Sequence, residues 1–173
     1  MSSSEKIKNA FDRVVKAFTA KPSLGLGTRK SKARLVDGLT CEITEGDWKL
    51  SADMVEAAGG NASAPTPGVY GRAALASCLA ICYKMYASKS GIAIDAIEVE
   101  VEADFDDGGL FGTAHVRPGY TEIRYTVTIE SDEPKEKIMA LLDEADNHSP
   151  YLDVFANQQP CVRSINIISP KLN

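Results

Sequence analysis

No uncharged apolar run in this 173-residue chain approaches the ~20 residues that cross a bilayer; the longest, Ala73 to Tyr83, stops at Lys84. That absence excludes a membrane-spanning helix. Basic charge is also short: 19 Lys and Arg against 24 Asp and Glu leave a net charge of -5, without the positive field that nucleic-acid binding draws on. Cysteine is sparse. The four, at 41, 78, 82 and 161, are spaced neither as a secreted disulfide framework nor as a paired CxxC zinc site. The amino terminus, Met1-Ser-Ser-Ser-Glu-Lys, has no basic stretch leading into an apolar segment, so a cytoplasmic protein with reduced thiols is expected. Internal repeats and low-complexity tracts are missing too. What remains, 44% hydrophobic and 25% charged, is the composition of one globular domain around one core.

Periodicity supplies the elements. Ile7, Ala10, Phe11, Val14, Val15 and Phe18 recur at three and four, which predicts an amphipathic helix over residues 2–20, ended by Lys21-Pro22-Ser23. Asp37-Gly38 predicts a hairpin, because both residue types accept positive φ; Leu39, Cys41 and Ile43 then alternate, placing Cys41 on a buried sheet face. Trp48 and Leu50 suggest a short further strand, and the small residues and prolines from Gly59 to Gly68 form a long loop. Tyr70 to Ser88, apolar almost all round and followed by Gly91, reads as a central buried helix. Ile97, Val99, Val101, Ala103 and Phe105 alternate with Glu98, Glu100, Glu102 and Asp104, and Ile123 to Ile129 alternates likewise: two strands, each with one apolar face, and a solvated acidic face on the first. Between them 113–116 leaves room for a short strand. Pro134 opens a helix through Ala145, stopped at Asn147-His148-Ser149-Pro150, and a last strand is expected over 162–168. The order is that of an α+β fold with helices against a mainly antiparallel sheet.

Among residues able to carry chemistry, Cys78 stands first. A thiol reacts as thiolate, which needs a cation, a helix amino terminus or a hydrogen-bond donor nearby; without one, a cysteine in an apolar helix only packs. Cys82, one turn on, has less polar company. The pair could share a metal only with two further ligands that no spacing supplies, so no metal or other cofactor is expected. His148 suits a helix end, and Tyr70 and Tyr151 either line a site or fill an interface.

The run Pro65-Thr-Pro67-Gly-Val-Tyr-Gly-Arg-Ala-Ala-Leu-Ala-Ser77-Cys78 resembles the first cysteine motif of the OsmC/Ohr family, and the order of elements from about residue 30 to 168 is similar to that family's. The resemblance makes residues 1–25 an added helix and 26–173 the OsmC-like domain. It implies an intertwined homodimer in which the long central helix is buried. It also implies reduction of organic hydroperoxides: Cys78 matches the attacking cysteine, becoming a sulfenic acid. The family's second cysteine falls at Ser149, between His148 and Pro150, so an external thiol would have to be the reductant unless Cys161 lies close by. The arginine that holds the family's thiolate corresponds best to Arg29, with Arg34 next, and Gly68 stands where that arginine's bracing glutamate is expected. Tyr70, Ser149 and Tyr151 are the implied substrate-contacting residues. The alternative is a non-catalytic relative that holds a small apolar ligand in the interface cavity, with Cys78 as a wall residue.

Overall fold

The computed structural model describes residues 2–168. Met1 and residues 169–173, the last five of the expected domain, lie outside the described residues. Helix α1 (Ser3–Ala20) is followed by a 3-10 turn at Pro22–Gly25 and by strands β1 (Lys32–Asp37), β2 (Thr40–Glu45) and β3 (Trp48–Ala52). A loop with a 3-10 turn at Glu56–Ala58 leads into α2 (Pro67–Ser90). Then come β4 (Ala96–Asp104), the short α3 (Asp107–Phe111), β5 (Glu122–Glu130), α4 (Lys135–Asp146) and α5 (Pro150–Ala156). Among the described residues no helix is long and apolar enough to cross a membrane.

The fold is α+β with two antiparallel sheets, β1-β2-β3 and β4-β5. Gly38, at φ +51°, turns the first hairpin at the Asp-Gly step. In the second sheet Ile97, Val99, Val101 and Ala103 stand opposite Ile129, Val127, Tyr125 and Ile123. The acidic positions face Thr128, Thr126, Arg124 and Glu122, where the Arg124 guanidinium lies 2.6 Å from Asp104 and 2.8 Å from Glu122.

Helix α2 makes the core. Pro67 fills its first turn, where no backbone donor is lost, and Gly91 closes it in the left-handed conformation at φ +66°. Leu75, Leu79, Cys82, Tyr83, Tyr86 and Ala87 are buried against Leu141 and Ala145 of α4 and the apolar face of β4 and β5. The opposite face is uncovered: Val69, Ala73, Ser77, Ile81 and Met85, each four residues apart, are exposed. Helix α1 docks through Phe11, edge-on to Tyr86 at 5.5 Å between ring centroids, with the Lys89 ammonium over both rings. Its remaining apolar residues, Val14, Val15 and Phe18, stay about half exposed.

Three expectations are corrected. Residues 162–168 form no strand: Val162 is 92% exposed and no strand edge of the same chain lies alongside, so the extended segment has nothing to pair with. Residues 113–116 are bends, because α3 and the tight Arg117-Pro118-Gly119 turn consume the connection. Cys41 is half-buried, since no element of its own chain covers β1–β3.

One carboxylate organises the loop before α2. Asp53, 1% exposed, accepts hydrogen bonds from the Ser63 hydroxyl (2.7 Å), the Met54, Ser63 and Asn61 backbone N–H groups (2.8, 3.1 and 3.2 Å) and the Thr40 hydroxyl (3.1 Å). Led by the Ser63 hydroxyl, these donors outweigh burial and hold its carboxyl at about 2 against an ordinary 3.8. The folded value is the lower one, so this contribution to stability is complete above the ordinary value and is lost as pH falls toward 2. The urea midpoint is therefore expected to drop across that window. Asp53→Asn should lower the midpoint at neutral pH and flatten its acid dependence, because a carboxamide presents donors to donors.

Candidate functional site

The site forms where the middle of α2 meets the turn between α4 and α5. The Cys78 sulfur, half-buried, lies 3.7 Å from the Ser149 hydroxyl oxygen. Ser149 is 2% exposed and is the N-cap of α5, its oxygen accepting the Leu152 N–H at 3.4 Å. With that lone pair engaged, the hydroxyl proton is free to point at sulfur. An O–H aimed at a thiolate stabilises the charged form.

The other thiols are placed differently. Cys82 is buried and donates to the Ala145 carbonyl at 3.4 Å. Burial, then the neighbouring Cys78 and Asp146 charges, push its thiol up to about 11, so it stays protonated and inert. Cys41 sits on β2, and Cys161 is exposed in the carboxy-terminal segment with its sulfur 3.8 Å from the Gln159 carbonyl; neither contacts Cys78.

Of the residues expected from sequence, Cys78 and Ser149 are in contact, and among the described residues no bond joins the others to Cys78. Arg29 lies exposed in the coil before β1, and Arg34 sits on β1 opposite Glu42. Tyr70 donates its hydroxyl to the Ser51 carbonyl, tying α2 to β3. Tyr151 is exposed on α5. Where a glutamate side chain would start at position 68, the nearest groups are the Arg72 guanidinium (3.4 Å) and the Tyr120 hydroxyl (3.7 Å). Tyr120 donates to the Gly68 carbonyl at 3.1 Å and accepts from Arg72 at 3.4 Å. Sequence reasoning missed this pair; the signal available was an arginine one turn past the Gly68 notch.

An open cleft of about 310 Å³ adjoins the site, walled by Leu75, Arg117, Tyr120, Tyr125, Leu152 and Phe155. Leu75 lies three residues before Cys78 on α2 and Leu152 three after Ser149, so the cleft opens about one helical turn from the pair, with Arg117, Thr121 and Glu122 in its walls beside the apolar residues. A small molecule with an apolar body fits such a cleft. On the outer side of the turn, His148 stacks on Tyr86 at 5.2 Å and donates Nδ1–H to the Glu144 carbonyl at 2.8 Å. That bond makes it a helix-end residue.

Solved structures with this architecture exist. An OsmC-like protein from Mycoplasma pneumoniae superposes with a TM-score of 0.64 at 16% identity, over 75% of this chain and 88% of that one. An organic hydroperoxide resistance protein OsmC from Legionella pneumophila gives 0.55 at 21% identity, over 75% and 90%. An organic hydroperoxide resistance protein from Elizabethkingia anophelis gives 0.57 at 16% identity, over 74% and 87%. At these identities the likeness shows the fold. No curated protein matches the sequence. The family model described as OsmC-like protein matches residues 59–162, more than half of the chain and all of the Cys78–Ser149 site. This chain therefore belongs to the OsmC-like protein family.

Proposed function

We propose that the protein is a one-cysteine thiol peroxidase that reduces organic hydroperoxides through Cys78, with an external thiol as reductant. The observation that carries the reading is the buried Ser149 hydroxyl 3.7 Å from the Cys78 sulfur, a donor placed where a thiolate needs one. The thiolate attacks the terminal peroxide oxygen; the O–O bond breaks, the alkoxide leaves and takes up a proton as alcohol, and sulfur is left as sulfenic acid. Ser149 has no sulfur to offer. An external thiol therefore condenses with the sulfenic acid, releasing water, and a second thiol equivalent regenerates Cys78 and carries away the disulfide.

The working unit of this reading is a homodimer. The uncovered face of α2 and the sheet β1–β3 are two surfaces that one chain leaves bare among the described residues, and in this reading a second copy supplies each with the other. Dimerisation also offers Arg29, or another exposed arginine, a route to the sulfur of the partner. A second reading, a non-catalytic protein holding a small apolar ligand, is favoured by one feature: among the described residues no guanidinium is bonded to Cys78, while a cleft with Leu75, Leu152 and Phe155 in its walls lies about one helical turn away.

A stoichiometric dose of an alkyl hydroperoxide is expected to add one oxygen atom to the intact protein, or a mixed disulfide when a thiol is present. Cys78→Ser should abolish the modification and Cys82→Ser should leave it. A Cys78 that stays unmodified after minutes of exposure removes the peroxidase and leaves the binding protein.

A further inference from the structure

The Cys78–Ser149 contact depends on a turn that has to be held in place. Ser149 heads α5, which is only seven residues long, and reaches α4 across three residues. Its own N–H bonds the Asp146 carbonyl at 3.2 Å, and His148 N–H bonds the Ala145 carbonyl at 3.0 Å. These are bonds inside the turn, and they move with it. Besides the Cys82 thiol on the Ala145 carbonyl and the His148 ring against Tyr86, the turn is attached to the rest of the molecule through the Asp146 side chain, which alone reaches both α2 and β5 by hydrogen bonds from its end of α4. One carboxylate oxygen accepts from the Tyr83 hydroxyl at 2.6 Å, and the other accepts from the Tyr125 hydroxyl at 2.9 Å.

Tyr83 belongs to α2, between Leu79 and Tyr86 on the core face, and is fully buried; Tyr125 belongs to β5. The carboxylate thus bonds the catalytic helix, the sheet and the Ser149 turn at one point. Both phenols are driven upward, by burial first and by the carboxylate second, Tyr125 to about 12, so each keeps its proton and remains a donor across the whole working range of pH. Charge-assisted bonds from two neutral phenols make a stiff attachment.

We infer that Asp146 is a positioning residue, holding the α4–α5 turn so that the Ser149 hydroxyl stays on the Cys78 sulfur. The inference rests on Cys78 being the reactive thiol of the proposed function, but its readout needs no peroxide. Two effects of Asp146 on Cys78 have opposite signs. As a negative charge close enough to raise the Cys82 thiol one turn along α2, it would disfavour a thiolate at Cys78, so removing the charge alone would speed alkylation. As a clamp for Ser149 it favours the thiolate, so removing it slows alkylation. The sign identifies which effect governs.

The test is the rate of Cys78 alkylation by iodoacetamide at neutral pH, followed by mass spectrometry in the full-length protein. Ser149→Ala should slow it. Asp146→Ala should slow it about two- to tenfold, the lower part of the range of coupling between residues in one network. Asp146→Asn, which loses the charge and keeps one acceptor oxygen for one phenol while its NH2 can only donate to the other phenol's oxygen, should slow the reaction less than Asp146→Ala. In the Ser149→Ala background, Asp146→Ala should add nothing. Where Asp146→Ala does not fold, Tyr125→Phe removes one of the two bonds at a partly exposed position and should slow the reaction in the same Ser149-dependent way. Equal acceleration by both Asp146 substitutions, an effect undiminished in the Ser149→Ala background, or wild-type alkylation in Ser149→Ala each overturns the inference. Hydroperoxide reactivity is measured separately: a Cys78 that alkylates with this coupling but ignores peroxide sinks the peroxidase and leaves the clamp standing.

Discussion

Ser149→Cys is expected to close a disulfide to Cys78 after one equivalent of alkyl hydroperoxide, with loss of two titratable thiols and no need of an external thiol for the first turnover. The two side chains already lie 3.7 Å apart between sulfur and oxygen, with position 149 at the head of a short helix, and a small approach brings two sulfurs to bonding distance. In the oxidised variant the bridge closes a loop of about 70 residues, for which chain entropy predicts roughly 4 kcal/mol of stabilisation. Thermal unfolding of the oxidised and reduced forms measures that gain. The variant also separates the chemistry from the geometry. If Cys78 forms sulfenic acid yet no bridge follows, the turn is held too far off. If neither forms, Cys78 is not peroxidatic. Failure to bridge even with a strong chemical oxidant would show that positions 78 and 149 are not neighbours, and the site itself would fall.

The site was half legible in the sequence. Cys78 and Ser149 stand out because the local motif around each is compact, and the structure puts them in contact across 71 positions of chain. Arg29 comes from the family resemblance and its place ahead of the Asp37-Gly38 turn, and neither says which chain's strand covers which chain's helix. Asp146 and Asp53 gave no signal: an acid at a helix end and an acid in a loop are ordinary, and only the convergence of donors from distant elements distinguishes them.

Among the elements, β4, β5 and α2 could be read because their periodicity reports real burial on one face, or on nearly all faces. Helix α5 was overlooked for a local reason: Asn147-His148-Ser149-Pro150 was read as a stop, whereas Ser149 caps the next helix and Pro150 occupies its first position. The same residues end one helix and start another. The strand expected at 162–168 has four β-branched residues, Val162, Ile165, Ile167 and Ile168, but propensity alone cannot supply the edge a strand pairs with.

Ile81→Arg is the second substitution with a large expected effect. Ile81 lies on the bare stripe of α2 and is 60% exposed in the single chain, midway between Ser77 and Met85. On a monomer an exposed isoleucine can be exchanged for arginine within about 0.5 kcal/mol. At a dimer interface the same change buries an unpaired charge, at a cost of about 3–5 kcal/mol, and loosens association by roughly two to four orders of magnitude. Sizing by light scattering should therefore show a dimer for the wild type and a monomer for the variant at micromolar concentration, with lowered thermal stability. Trp48, 76% exposed on β3, gives an independent reporter, because its fluorescence should shift to longer wavelength when the partner's covering surface leaves. A wild type that runs as a monomer, with Ile81→Arg indistinguishable from it, would mean that α2 and β1–β3 carry their apolar residues in water. The homodimer, and with it any arginine reaching Cys78 from a second chain, would then be abandoned.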